Sequence, residues 1–270
     1  MKIHTNFYRT DQQMGFTLVE FLVALVIGML IVLAATASLI GTRAASLASA
    51  DVNELQQASA QAFQVLKQQI TQAGYIPIDI AGGNRGYFNI NAEKPTQVTG
   101  EPVFFAIKGS EGGVGKSDKL KIGYAPAPDY FSDCMGRAIK KYDSANILDS
   151  NNVRLITGEF SVDAGKLRCE GNGGVGAQPL IGGVERFDVS YGVSDAAADL
   201  QIRQYVDADK VVDFKSVRAI RICLQLVASS HGNASQKYTD CDGVEKTSSD
   251  GKQRGVFVSI FALRNNLGAL

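Results

Sequence analysis

Residues 15–20, Gly15-Phe16-Thr17-Leu18-Val19-Glu20, open an apolar run that continues to Ile40. Within residues 16–40, Glu20 is the only side chain that ionises. At a rise of ~1.5 Å per residue, a helix over this run is about 37 Å long, and the hydrocarbon core of a bilayer is ~30 Å thick. The run therefore predicts one membrane-spanning helix over residues 16–40.

The fifteen residues that precede the run differ from an ordinary secretory signal peptide. They are polar, include Lys2, Arg9 and Asp11, and contain no apolar core of their own. A charged leader that ends in glycine, followed by Phe-Thr-Leu-Val-Glu, resembles the class III signal of type IV pilins and type II secretion pseudopilins. The resemblance implies that a membrane peptidase and methyltransferase removes residues 1–15 by cutting between Gly15 and Phe16, and then methylates the new amino terminus of Phe16.

Glu20 needs compensation, because a carboxylate at the bilayer centre costs ~2.5 to 3.5 kcal/mol on insertion scales. The same resemblance implies that Glu20 pairs with the amino terminus of a neighbouring subunit during assembly. The alternative is a carboxylate that reaches the headgroup region and has no assembly role.

The charge balance gives no indication of a nucleic-acid partner. The 270 residues include 27 basic and 27 acidic side chains, so no strong positive field favours nonspecific binding to nucleic acid. Lys2 and Arg9 precede the apolar run, whereas Asp51 and Glu54 follow it. By the positive-inside tendency, the amino terminus is expected in the cytoplasm and the bulk of the chain in the periplasm, anchored in the inner membrane.

Four cysteines lie on the predicted periplasmic side, where disulfides form and persist. None belongs to a Cys-x-x-Cys pair. Four cysteines allow three connectivities, and proximity in the sequence favours Cys134 with Cys169 and Cys223 with Cys241. Zinc binding is the competing interpretation, but the chain has only two histidines and lacks paired ligand spacing. We therefore predict two disulfides and no metal.

An amphipathic half of the helix is predicted over residues 41–73. This segment contains no proline and is rich in alanine and glutamine. Gly74, which tolerates a left-handed cap, and Pro77 are expected to end it. The apolar side chains that recur on one face are Val52, Leu55, Ala62, Leu66, Ile70 and Ala73.

Residues 74–270 have the pattern of one β-rich domain, which gives an α+β fold with the helix packed on the domain. Residues 218–226 alternate between apolar and mixed positions, as a half-buried strand requires. Residues 256–263 are expected to pair with them across a long hairpin loop, residues 229–255. The other predicted strands are residues 103–107, 119–124, 153–156 and 187–191.

The carboxyl-terminal third narrows the resemblance to minor pilins of the PilW family. The similar tracts are residues 183–192, 204–207, 217–222 and 261–265, together with Ala73-Gly74-Tyr75 at the helix end. The resemblance implies a low-abundance structural subunit that joins other minor pilins and the major pilin, helps to prime pilus assembly and stays near the tip, where a large adhesin is held. A J-type pseudopilin of a type II secretion system is the alternative.

Three apparent ligand or catalytic sites are interpreted as loops. Residues 110–117 end in Gly-Lys-Ser but have Ser110 where a phosphate-binding loop needs its first glycine. The aspartates of residues 195–213 suggest calcium, yet alanines 196–198 occupy expected ligand positions. His231 has no nucleophile motif around it. No cofactor and no enzymatic activity are predicted, which leaves a tethered hydrolase or a solitary envelope binding domain as less favoured alternatives.

Overall fold

The helix α1 (Leu18–Gln72) is the first element of the structure, a computed structural model. Residues 18–40 of the helix are mainly apolar, and their side chains are exposed. In the described part of the chain, α1 is the one helix that is long and apolar enough to cross a membrane. The helix ends at Gln72, and two residues later Gly74 has a φ of +75°, which agrees with the predicted left-handed cap. The structure describes residues 17–75, 106–113, 115–124, 132–136, 156–171, 176–195, 200–230 and 235–265.

The chain divides into two compact units, Met1–Leu47 and Ala48–Leu270. In the second unit, one face of α1 is buried in the core of the β-rich domain through Leu55, Ala62, Leu66 and Ile70. The prediction for Val52 is wrong, since this side chain is 40% exposed. A step of about 100° per residue places Asp51, not Val52, above Leu55, and Asp51 is buried.

The first sheet is an antiparallel meander of five strands in the order β1-β2-β3-β4-β5. Its inner side chains join the core, among them Leu120, Phe160 and Leu167, because alternate residues of a strand share one face. The strands are β1 (Ile107–Ser110), β2 (Lys119–Tyr124), β3 (Ile156–Asp163), β4 (Lys166–Gly171) and β5 (Gln178–Gly182).

The second sheet has four antiparallel strands in the order β11-β8-β6-β7. Phe187, Ile222 and Phe261 lie on its inner side, and Phe261 also contacts Phe63 of α1 with ring centroids 6.1 Å apart. The strands are β6 (Val184–Val193), β7 (Gln204–Val206), β8 (Val217–Val227) and β11 (Arg254–Ala262).

A short hairpin of two strands, β9 (Gln236–Thr239) and β10 (Glu245–Ser248), lies within the connection between β8 and β11. The predicted pairing of residues 218–226 with 256–263 is confirmed, for example by Leu224 opposite Phe257. The prediction that β8 is half-buried is wrong, because Cys223 and Gln225 on its outer side are also buried. The disulfide from Cys223 to Cys241 holds the hairpin connection on that side of the strand.

The predicted α+β fold class, a long apolar amino-terminal helix with a β-rich domain, is confirmed. The predicted strand 119–124 coincides with β2, and residues 187–191 lie within β6. The predicted strands 103–107 and 153–156 fall mainly outside the described residues, with Ile107 in β1 and Ile156 in β3 at their ends.

Candidate functional site

The amino-terminal end of α1 carries the first predicted site. Gly15 and Phe16 lie outside the described residues, whereas Thr17 and Glu20 form a reciprocal capping box. The Thr17 backbone N–H donates to Glu20 Oε2 at 2.9 Å, and the Thr17 hydroxyl donates to the same oxygen at 3.0 Å. In return, the Glu20 backbone N–H donates to Thr17 Oγ1 at 3.3 Å. Glu20 therefore caps its own helix at the first turn.

This geometry leaves one oxygen of the carboxylate available. Both bonds from Thr17 reach Oε2, and the described residues place no donor on Oε1 of Glu20. The carboxylate can therefore accept a further hydrogen bond at Oε1 while the cap stays in place. The signal for this cap is present in the sequence, where Thr17 is followed three residues later by Glu20 at the start of an apolar run.

Cys134 and Cys169 form a disulfide that joins the segment 132–136 to β4, with Cα atoms 6.3 Å apart. Gly158 on the neighbouring strand β3 makes room for it, since a Cβ there would lie 3.2 Å from both Cβ and Sγ of Cys134. Asp133 turns the segment by accepting a hydrogen bond from the Met135 N–H at 2.9 Å. The bridge therefore attaches residues 132–136 to β4.

Cys223 and Cys241 form the second disulfide, with Cα atoms 5.8 Å apart. Cys241 follows Asp240, whose Oδ1 accepts hydrogen bonds from the backbone N–H groups of Asp242 and Val244. The hydrogen bond from Lys246 is the main cause that lowers the pKa of Asp240. These bonds fix the turn that presents Cys241 to β8.

Two arginines hold the hairpin connection to the second sheet. Arg186 on β6 contacts both Asp188 and Asp242. Arg254 on β11 contacts Glu185 and Asp250, each at 2.8 Å. The outer side of this part of the sheet is therefore covered by a network of paired charges, for which the sequence pattern contains no signal.

Two serines attach α1, at Asp51 and Glu54, to the end of β8. The Ser230 hydroxyl donates to the buried carboxylate of Asp51 at 2.6 Å, and the Ser229 hydroxyl donates to Glu54 at 2.9 Å. Both acids lie on the helix, and both serines follow Val227 at the end of β8. Their role could not be predicted from the sequence, because the contacts join residues about 175 positions apart.

A pair of carboxyl groups lies at the turn between β1 and β2. Asp118 is buried and accepts hydrogen bonds from the Gly112 and Val189 N–H groups at 2.9 and 2.8 Å. Desolvation, followed by the charge of Asp118 and a hydrogen bond with it, raises the pKa of Glu111 to about 7. The contact between Glu111 and Asp118 therefore depends on the protonation of Glu111 at a pH near neutrality.

The sites interpreted as loops carry no ligand-binding geometry in the described residues. In the stretch 110–117, the Lys116 N–H bonds to the Gly113 carbonyl at 3.0 Å, which makes a turn. Asp195 contacts Arg203, and Asp207 contacts Lys210. No group of three potential metal ligands is found in the part of the chain that the structure describes, and His231 and Asp199 lie outside that part.

Two family models match the chain. Residues 151–265 match the family described as Type IV Pilus-assembly protein W. Residues 12–36 match the prokaryotic N-terminal methylation motif, which includes Gly15, Phe16 and Glu20. No curated protein matches the chain in sequence.

The solved structures similar to this one include a type IV-like pilin from Thermus thermophilus. It is 14% identical with a TM-score of 0.46, over 80% of this chain and 96% of the Thermus chain. Another is the GspK-GspI-GspJ complex of the type 2 secretion system of enterotoxigenic Escherichia coli. It is 14% identical with a TM-score of 0.35, over 79% of this chain and 97% of the matched chain.

Proposed function

Because residues 151–265 match the family described as Type IV Pilus-assembly protein W and residues 12–36 match the N-terminal methylation motif, we propose that the chain is a minor pilin that helps to prime pilus assembly and forms part of the tip complex. The observation that carries the proposal is the methylation motif at the start of an exposed apolar helix, followed by the W-type domain in the same chain. The role is structural and needs no catalytic centre.

Processing and topology follow from the leader. A prepilin peptidase and methyltransferase cuts between Gly15 and Phe16 and methylates Phe16, so residues 1–15 are lost. Residues 16–40 then span the inner membrane with the amino terminus cytoplasmic, residues 41–73 form the amphipathic half of the helix, and residues 74–270 form the periplasmic domain. The bases before the apolar run and the acids after it support this orientation.

Assembly moves the subunit from inner-membrane lipid to the pilus and the cell surface. Its partners are other minor pilins, the major pilin and the tip adhesin. The amino terminus of a neighbouring subunit binds the carboxylate of Glu20. Pairing these two charges removes the cost of leaving each of them alone in the membrane.

The test separates the cap from the intersubunit pair. Glutamine can replace glutamate in a capping box, so Glu20→Gln keeps the hydrogen bond to Thr17 but removes the charge. We expect Glu20→Gln to insert into the membrane normally and to lose incorporation into the assembly complex as Glu20→Ala does, as measured by co-purification with other pilins. Thr17→Ala, which removes the cap hydroxyl and keeps the charge, should lose much less.

Normal assembly of Glu20→Gln would show that the cap alone explains this residue. Deletion of the whole chain tests the pilus role itself, because it should abolish or strongly reduce surface pili. Intact piliation together with loss of type II secretion would instead identify the chain as a pseudopilin.

A further inference from the structure

The outer side of the second sheet is divided into a covered and an exposed part. The hairpin connection between β8 and β11 covers the part that contains Cys223 and Gln225. Arg221 is two residues from Cys223 on the same side of β8. It lies opposite Ile260 of β11 and Ser190 of β6. Arg221 is exposed, unlike the other residues of β8 from Val217 to Leu226.

Apolar side chains lie beside Arg221 on β11 and also near Gly192 of β6, whose partner Ala219 is two residues from Arg221. Val258 and Ile260 of the edge strand β11 are 55% and 57% exposed. On the other side, Ile202 and Tyr205 lie over Gly192, where a Cβ would be 3.1 Å from each of them. At a strand spacing of ~4.8 Å, β11 and β7 are about 14 Å apart, so these side chains and Arg221 form one exposed surface.

The three arginines on the outer side of this sheet differ in their partners. Arg186 and Arg254, in the covered part, each contact two carboxylates of this chain. No ion pair between Arg221 and a carboxylate is found among the described residues. An arginine between apolar and aromatic side chains is the composition that protein interfaces favour.

We propose that Arg221, together with Val258, Ile260, Ile202 and Tyr205, forms a docking surface for another envelope protein, which presents a carboxylate surrounded by apolar side chains. The carboxylate of the partner protein forms an ion pair with Arg221. Arg186 and Arg254 form the corresponding ion pairs with carboxylates of this chain. The apolar side chains exclude water around that pair, which strengthens it relative to an exposed ion pair.

A carbodiimide coupling experiment tests the chemistry of the partner. Arg221→Lys places a primary amine at the centre of the surface. A water-soluble carbodiimide joins an amine to a carboxylate in contact with it as an amide, and the carbodiimide takes up the elements of water and leaves as a urea. Cells that express the full chain are treated with the reagent, and the conjugates are mapped by mass spectrometry. We expect a conjugate between Lys at position 221 and an Asp or Glu of a different envelope protein.

Two further variants examine the apolar surround in the Arg221→Lys background. Ile260→Asp should reduce the conjugate at least tenfold, because the new carboxylate lies opposite position 221. There it pairs with the amine and repels the carboxylate of the partner protein. Val212→Asp should leave it unchanged, since Val212 is fully exposed but lies outside the strands of the sheet. Equal loss in both variants would contradict the assignment to this surface.

Absence of a conjugate at position 221, when lysines elsewhere on the chain are modified, would overturn the proposal. A conjugate to a second copy of the chain, or to a lipid headgroup, would overturn it as well. The experiment does not depend on which apparatus contains the chain. Its failure therefore leaves the pilus assignment unchanged, and a failure of that assignment leaves this result interpretable.

Discussion

Glu20 has one role in the fold that the structure shows, the helix cap, and one role in assembly that we propose. Glu20 caps α1 through Oε2 and keeps Oε1 accessible. This arrangement fixes the direction of the carboxylate before any partner arrives. A held carboxylate loses less conformational entropy when it binds an amino group than a free one does.

Gly109 in β1 is required by a neighbouring ring and not by its own backbone angles. A Cβ at this position would overlap the hydroxyl of Tyr191, a fully buried side chain whose ring also packs edge-on against Phe214 at 5.4 Å. Gly109→Ala should therefore destabilise the domain by about 1 to 3 kcal/mol. The midpoint of chemical denaturation measures the effect.

Gly182→Ala is the matched control for Gly109→Ala, because nothing lies within 4 Å of a Cβ at Gly182. This control should change stability little. Equal stability of the two variants would show that Tyr191 moves without cost.

Glu111 should make stability depend on pH near neutrality. Its pKa is raised from an ordinary 4.5 to about 7, chiefly by desolvation and by Asp118. The neutral form is therefore favoured by folding. The stabilisation is complete below about pH 4.5 and is lost as the pH rises through about 7.

The variant Glu111→Gln keeps the side chain neutral at every pH. We expect it to remove the fall in the denaturation midpoint between about pH 4.5 and about pH 7. The comparison is a series of denaturation curves for both proteins. A wild-type curve that is flat over this interval would show that Asp118 does not restrain the proton on Glu111.

Among the elements, α1 and the pair β8–β11 could be predicted because local periodicity determines them. The apolar run gives the helix its length, and alternation in residues 218–226 gives β8 its inner side. The buried position of Asp51 could not be read in this way. It depends on Ser230, whose hydroxyl reaches the helix only in the folded domain.

The burial of the outer side of β8 could not be predicted from the sequence for a related reason. Alternation indicates which side chains share a face, but it does not indicate what covers the second face. Here the cover is the connection between β8 and β11, held by Cys241 and by contacts of Arg186 and Arg254. Such long-range polar contacts leave no periodic signal.

The Cys223–Cys241 disulfide should stabilise the domain by about 3 kcal/mol, because it closes a loop of this length in the unfolded chain. Replacing both cysteines by alanine should lower the denaturation midpoint. Hydrogen exchange should then become faster in β9 and β10, while β2 and β3 remain protected. Nonreducing peptide mapping of the wild type checks the pairing, and a bond between Cys134 and Cys223 would contradict the arrangement.

At the scale of the whole molecule, the chain combines a membrane-compatible helix with a folded β-rich unit. The exposed apolar residues of α1 need lipid or other helices around them. The unit from Ala48 to Leu270 has its own core and two disulfides. The proposed transfer from the membrane to a filament would therefore need no refolding of this unit.

The mass of the chain isolated from the cell envelope tests this account most directly. The account predicts a single species that begins at Phe16, carries one methyl group at its amino terminus and retains the whole of α1. A chain that still begins at Met1, or one cleaved beyond Ile40, would contradict it.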